Sequence, residues 1–146
     1  MLRYYEIIQE INAESEEKFK EFVKKLKENK VCLILFGSRA KGKNNLLSDF
    51  DLLIIADKFV SKLPIDFPAD VFCYTVEECL EEIEKKNTVI LDAFTQGELI
   101  FDNAGVFNLL KKRVKEEVER SGLVRSKEGW LVNDKRCQAD QGAKYF

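Results

Sequence analysis

Two hydrophobic periods alternate along this chain. Between residues 14 and 29, Phe19, Phe22, Val23 and Leu26 recur at helical spacing with charges between them, which predicts an amphipathic helix packed on something larger. Tyr4, Ile7, Ile8 and Ile11 predict an earlier helical turn or two. Val31 to Phe36 then runs apolar without a break and stops at a glycine, as a strand buried on both faces would. Asp49 to Ala56 predicts a second such strand. Ala69 to Thr75 predicts a third, entered through a connector marked by Pro64 and Pro68.

Thr75-Val76-Glu77-Glu78 has the form of a capping box, in which a hydroxyl and a carboxylate satisfy free amides at a helix start. Val76, Cys79, Leu80 and Ile83 supply the apolar face of the helix that follows. Val89 to Phe94 predicts a short helix, and Glu98 to Phe101 a short strand. Val106 to Arg120 predicts a last helix with Phe107, Leu110, Val114 and Val118 in register. The mixture of strands and helices gives an α/β domain of the α+β type, a small sheet flanked by helices, over residues 1–121. Residues 122–146 carry scattered charges and a brief apolar patch, so they are expected to be a tail or docking segment. Leu123, Val124, Trp130, Leu131 and Val132 are too few for a second core. Trp130 therefore either anchors a partner or folds back onto its own domain.

Composition narrows the function classes. Apolar residues at 45% beside charged residues at 34% describe a globular chain, not a disordered one. A net charge of −2 argues against a nucleic-acid coat, so any anion site must be local. The apolar runs are too short to span a bilayer, and the start, MLRYYEIIQE, lacks a signal-peptide core; a cytoplasmic location is expected. Cys32, Cys73, Cys79 and Cys137 form no C-x-x-C pair, and without His a zinc site would need all four. Three of them sit in apolar runs and read as small hydrophobes.

The chemistry gathers in Leu35-Phe36-Gly37-Ser38-Arg39-Ala40-Lys41-Gly42 and Ser48-Asp49-Phe50-Asp51-Leu52-Leu53. A buried strand ending in Gly-Ser and turning at once into a short helix presents free amides where the peptide dipoles favour an anion. Asp49 and Asp51, two residues apart in a strand, point the same way about 7 Å apart. Such a pair repels and calls for a cation. Hard oxygen ligands suit Mg²⁺, which takes one or two carboxylates, waters and substrate phosphates. Asp57 shares their parity but lies roughly 20 Å further along, outside the site. Arg39, Lys41 and Lys43 form a basic cluster beside the turn that can steer a polyphosphate or simply face solvent. Lys111-Lys112-Arg113 reads as the solvated side of the last helix.

Gly37-Ser38, ten residues, then Asp49-x-Asp51 resembles the signature of the DNA polymerase beta-like nucleotidyltransferase superfamily, and the flanking residues resemble its minimal branch over roughly residues 14–102. The resemblance implies a small mixed sheet of the nucleotidyltransferase fold. It also implies a third carboxylate from a later strand, which Asp70 matches better than Asp66. By the same resemblance Asp49, Asp51 and Asp70 are the catalytic residues and the ligands of two Mg²⁺ ions, while Gly37, Ser38 and Arg39 bind the nucleotide. ATP would be the substrate and AMP the transferred group. The acceptor would be a hydroxyl, such as a tyrosine of a HEPN-type partner that the chain restrains as an antitoxin. Transfer to an aminoglycoside-like small molecule, a non-catalytic regulatory module and a homo-oligomer stay open at this point.

Overall fold

The computed structural model describes residues 2–37, 49–57, 65–127 and 129–132, with the side chains of the first helix from residue 13 onward. Ser38, Arg39, Lys41, Lys43, Pro64 and Cys137, named above, lie outside the described residues, as do the side chains of Tyr4, Ile7, Ile8 and Ile11.

The helix α1 spans Leu2–Leu26, the strand β1 Val31–Phe36, β2 Phe50–Ala56 and β3 Ala69–Thr75. They are followed by α2 (Val76–Glu84), α3 (Thr88–Gln96), β4 (Glu98–Asp102), α4 (Phe107–Ser121), β5 (Leu123–Ser126) and β6 (Gly129–Val132). The two helical stretches expected before residue 29 are thus one helix. β1 to β4 form a sheet in the order β3-β2-β1-β4. β1 runs antiparallel to both its neighbours, whereas β2 and β3 are parallel, so the sheet is mixed.

Alternation within the strands divides the core into two layers. On one face Leu33, Leu35, Leu52 and Ile54 pack against Phe19, Phe22 and Leu26 of α1. Phe50 stacks on Phe19 with ring centroids 4.6 Å apart. On the other face Ile34, Phe36, Leu53 and Ile55 meet Cys79, Ile83, Ile90, Leu91, Phe94 and Leu110 from α2, α3 and α4. Having both faces covered explains why β1 and nearly all of β2 are buried continuously instead of alternately. β3 departs from that expectation. It is an edge strand, half-buried along its length, and Cys73 on it is exposed, unlike buried Cys32 and Cys79.

Side chains fix the helix starts around this second face. The Thr75 hydroxyl accepts from the Glu78 amide at 3.1 Å while the Glu78 carboxylate accepts from the Thr75 amide at 3.0 Å, closing the capping box. At the start of α4 the Asp102 carboxylate accepts from the amides of Gly105, Val106 and Phe107. Gly97 lets α3 close down on β1, because a Cβ there would sit 2.3 Å from the Ala93 carbonyl oxygen and 2.8 Å from Ile34.

Residues beyond α4 do not trail away at once. β5 and β6 pair as an antiparallel hairpin, and Leu123 and Trp130 join the layer formed by α2, α3 and α4. Of the two places open to Trp130, the structure takes the fold-back: it is 4% exposed, and its indole N–H donates to Asp92 at 2.8 Å. The rest of the expected docking segment, residues 133–146, lies outside the described residues. No helix among the described residues is long and apolar enough to cross a membrane.

Candidate active site

The register of the sheet assembles the acidic cluster. β1 and β2 run in opposite directions, so the end of β1 meets the start of β2, with Phe36 opposite Asp51. β2 and β3 are parallel and begin together, which puts Asp51 directly opposite Asp70. Neighbouring strands lie about 4.8 Å apart, so carboxylates from opposite residues on one face are close. Asp51 shares its parity with Leu53 and Ile55, and Asp70 shares its own with Phe72 and Tyr74. Both therefore belong to the face that carries α2, α3 and α4, at the margin of its apolar layer. Asp49, exposed, immediately precedes β2.

The electrostatics follow from that placement. The Asp51 carboxyl is pushed above its ordinary value, first by burial and then by the negative charges of Asp70 and Asp49. A cation between these oxygens would relieve both effects. Among the described residues, no three acidic or thiol side chains converge on a ready-made metal cage.

Gly37 closes the other side of Asp51. Its φ of +78° is in the left-handed region, and a Cβ on it would fall 2.1 Å from Asp51 Oδ2. Only glycine satisfies both conditions without strain. The Gly37 backbone is thus pressed against the carboxylate, as required if one ligand is to touch both. Ser38 and Arg39 lie outside the described residues, so the structure places only the first member of the expected nucleotide-binding turn.

Asp66 goes elsewhere. It borders a recess with Lys18, Glu21 and Lys25 of α1, whereas Asp70 stands opposite Asp51. Arg113 turns to Glu116 and Glu84, as a solvated helix side would. Glu117, the buried acid of α4, is held by Arg120, Ser121 and Lys86 and belongs to the scaffold.

A cavity of about 260 Å³ opens beside Asp51 and Gly37, with Phe36 and Phe72 among its walls. Its other walls are Gln96 and Asp92 from α3 and Arg125 from β5. Sequence reasoning missed these last three. Asp92 and Arg125 belong to no local motif, and their contact joins residues 33 positions apart; Gln96 opens the stretch Gln96-Gly97-Glu98, which resembles the family's minimal branch without marking a site. The only signal was the isolated aromatic Trp130 that anchors the hairpin.

Comparisons with known proteins agree with this architecture. A family model of the nucleotidyltransferase domain matches residues 16–123. A chain from a structure described as "Crystal structure of the toxin-antitoxin with AMP-PNP" is similar with a TM-score of 0.50 and 18% identity, over 73% of this chain and 89% of that one. At that identity the similarity speaks for the fold. No curated protein matches the chain. With the family model spanning well over half of its length, the chain belongs to the nucleotidyltransferase domain family of the DNA polymerase beta-like superfamily.

Proposed function

We propose that this edge of the sheet binds a Mg²⁺-complexed nucleoside triphosphate, most simply ATP, and transfers its nucleotidyl group to a hydroxyl. The observation that carries the reading is the register pairing of Asp51 with Asp70, beside a glycine backbone in contact range of the Asp51 carboxylate. Asp49 and Asp51 would hold one Mg²⁺, and the same pair with Asp70 a second, in each case only once phosphate oxygens and water supply the rest of the shell, since the carboxylates alone form no cage. When bound, the ions would neutralise phosphate charge and make the attacking hydroxyl more acidic. The Gly37 and Ser38 turn would donate hydrogen bonds to the distal phosphates and hold the α-phosphorus at the carboxylate edge. The acceptor oxygen attacks that phosphorus, and its proton passes to the Asp70 carboxylate. The bond between the α-phosphorus and the bridging oxygen to the β-phosphate breaks, and pyrophosphate leaves with the electron pair.

The acceptor is assigned to a protein hydroxyl, a tyrosine of a HEPN-type partner, with the chain acting as the antitoxin. Support comes from the toxin-antitoxin described for the similar fold. Incubating the chain and the product of its neighbouring gene with Mg²⁺ and ATP labelled on either the α- or the γ-phosphate tests this. Label entering the partner from the α-position alone, with pyrophosphate released, is the expected result. Label from the γ-position would make the reaction a phosphoryl transfer. Label entering only small hydroxyl compounds would move the acceptor to that class, and no transfer with intact ATP binding would leave a regulatory module.

A further inference from the structure

We propose that Arg125, carried by the β5–β6 hairpin, binds the distal phosphates of the nucleotide and thereby the pyrophosphate that leaves. This rests on the nucleotidyltransferase reading above and deepens it. Three observations point the same way. First, Arg125 lines the same cavity as Gly37 and Asp51, so a ligand held at the carboxylates and the glycine turn extends toward it. Secondly, it is the cation among the described residues that line that cavity, where a polyphosphate otherwise meets the carboxylates of Asp51 and Asp92. Thirdly, its head is held in place rather than free to wander.

The guanidinium Nε–H donates to Asp92 Oδ1 at 2.9 Å, and an Nη1 N–H donates to the Ser126 carbonyl oxygen. These contacts engage two of its five N–H groups. The same Asp92 oxygen accepts from the Trp130 indole at 2.8 Å, and Trp130 is buried in the core. Asp92 thus acts as the positioning residue that ties cavity, hairpin and core together. An arginine fixed in this way offers a planar fork to phosphate oxygens with little ordering cost on binding. The hairpin then has a role beyond packing: it brings a positive charge to the site that the sheet alone does not provide.

The test is the affinity of the full-length chain for ATP, AMP and pyrophosphate, each with Mg²⁺, measured by calorimetry for wild type, Arg125→Gln and Arg125→Lys. The ratio of AMP to ATP dissociation constants is the readout, because a partly misfolded preparation lowers the active fraction without altering that ratio. Arg125→Gln is expected to weaken ATP and pyrophosphate by about tenfold or more, the scale of one charge-assisted hydrogen bond, and to leave AMP within about twofold. Arg125→Lys keeps the charge without the fork and is expected to fall between the two; it also serves if the glutamine variant does not fold. Equal losses for ATP and AMP, as from a base or sugar contact, would overturn the assignment, as would an unchanged ratio in the lysine variant when the glutamine variant is lost. ATP binding by wild type that Arg125→Gln leaves unaltered overturns the assignment alone. No ATP binding by wild type overturns it together with the reading on which it rests.

Discussion

Replacing Gly37 by alanine tests the closeness of the glycine turn to the acidic cluster. Two separate costs follow from the geometry. At φ +78° an L-residue is strained relative to glycine by about 1–2 kcal/mol. The new Cβ would also lie 2.1 Å from Asp51 Oδ2 and 3.1 Å from its Cγ, so the carboxylate must swing away or the backbone must move. Overpacking of this kind costs about 1–3 kcal/mol. Together these predict a loss of roughly 2–5 kcal/mol, and at about 3 °C per kcal/mol for a chain of 146 residues, a melting point lower by roughly 6–15 °C. The second cost should vanish when Asp51 is truncated, because the Asp51 Cβ, at 3.3 Å, is the only one of the three contacts that remains. In a cycle with Gly37→Ala, Asp51→Ala and the double variant, thermal unfolding without metal should therefore give a rescuing coupling of about 1–3 kcal/mol. Additivity within about 0.5 kcal/mol would refute the claimed contact between the turn and the carboxylate.

Three further outcomes follow from the same structure. In the metal-free protein Asp51→Asn should be more stable than wild type at neutral pH. The folded-state value of Asp51 is raised, so wild type loses stability as pH climbs from the ordinary carboxylate value of about 3.9 through that raised value, and the variant's advantage should disappear below the lower bound. A constant difference across urea titrations from acid to neutral pH would contradict this. Truncation after Ser121 should destabilise the domain, since it removes Trp130 from the core, and Trp130→Ala alone should cost about 3–5 kcal/mol; a truncated chain that melts like the full one would return the hairpin to a docking role. Ser38→Ala should weaken ATP more than AMP in calorimetry, and equal weakening would count against a distal-phosphate role for the turn.

Much of this arrangement was legible in the sequence because it is local. The unbroken apolar runs at Val31–Phe36 and Leu52–Ala56 have the length of strands covered on both faces, and the Thr75 to Glu78 spacing announced its helix. Parity along β2 put Asp49 and Asp51 on one face, whereas Asp70 was reached only through the resemblance to the family. The direct opposition of Asp51 and Asp70 depends on a parallel register that no spacing reveals. The edge position of β3 was hidden as well, because its residues are as apolar as those of a buried strand while Cys73 is exposed. The segment after residue 121 was the least readable. Its composition resembles a tail, and its fold depends on one tryptophan and one arginine converging on Asp92, more than 30 residues earlier. Such a contact leaves no periodic trace.

The central claim is that Asp49, Asp51 and the glycine turn form a site for a metal-bound nucleotide, and Trp130, the single tryptophan of the chain, offers a direct probe through its bond to Asp92 in the cavity wall. ATP titrated into the full-length protein with and without Mg²⁺, followed by calorimetry and by Trp130 fluorescence, should show saturable binding that requires the metal. The Asp49→Asn, Asp51→Asn double variant should lose that metal dependence while melting at the same temperature or higher, because a cluster of like charges has been relieved. Metal-independent binding that survives in the double variant, or a marked loss of stability on making it, would contradict the account and mark the pair as structural.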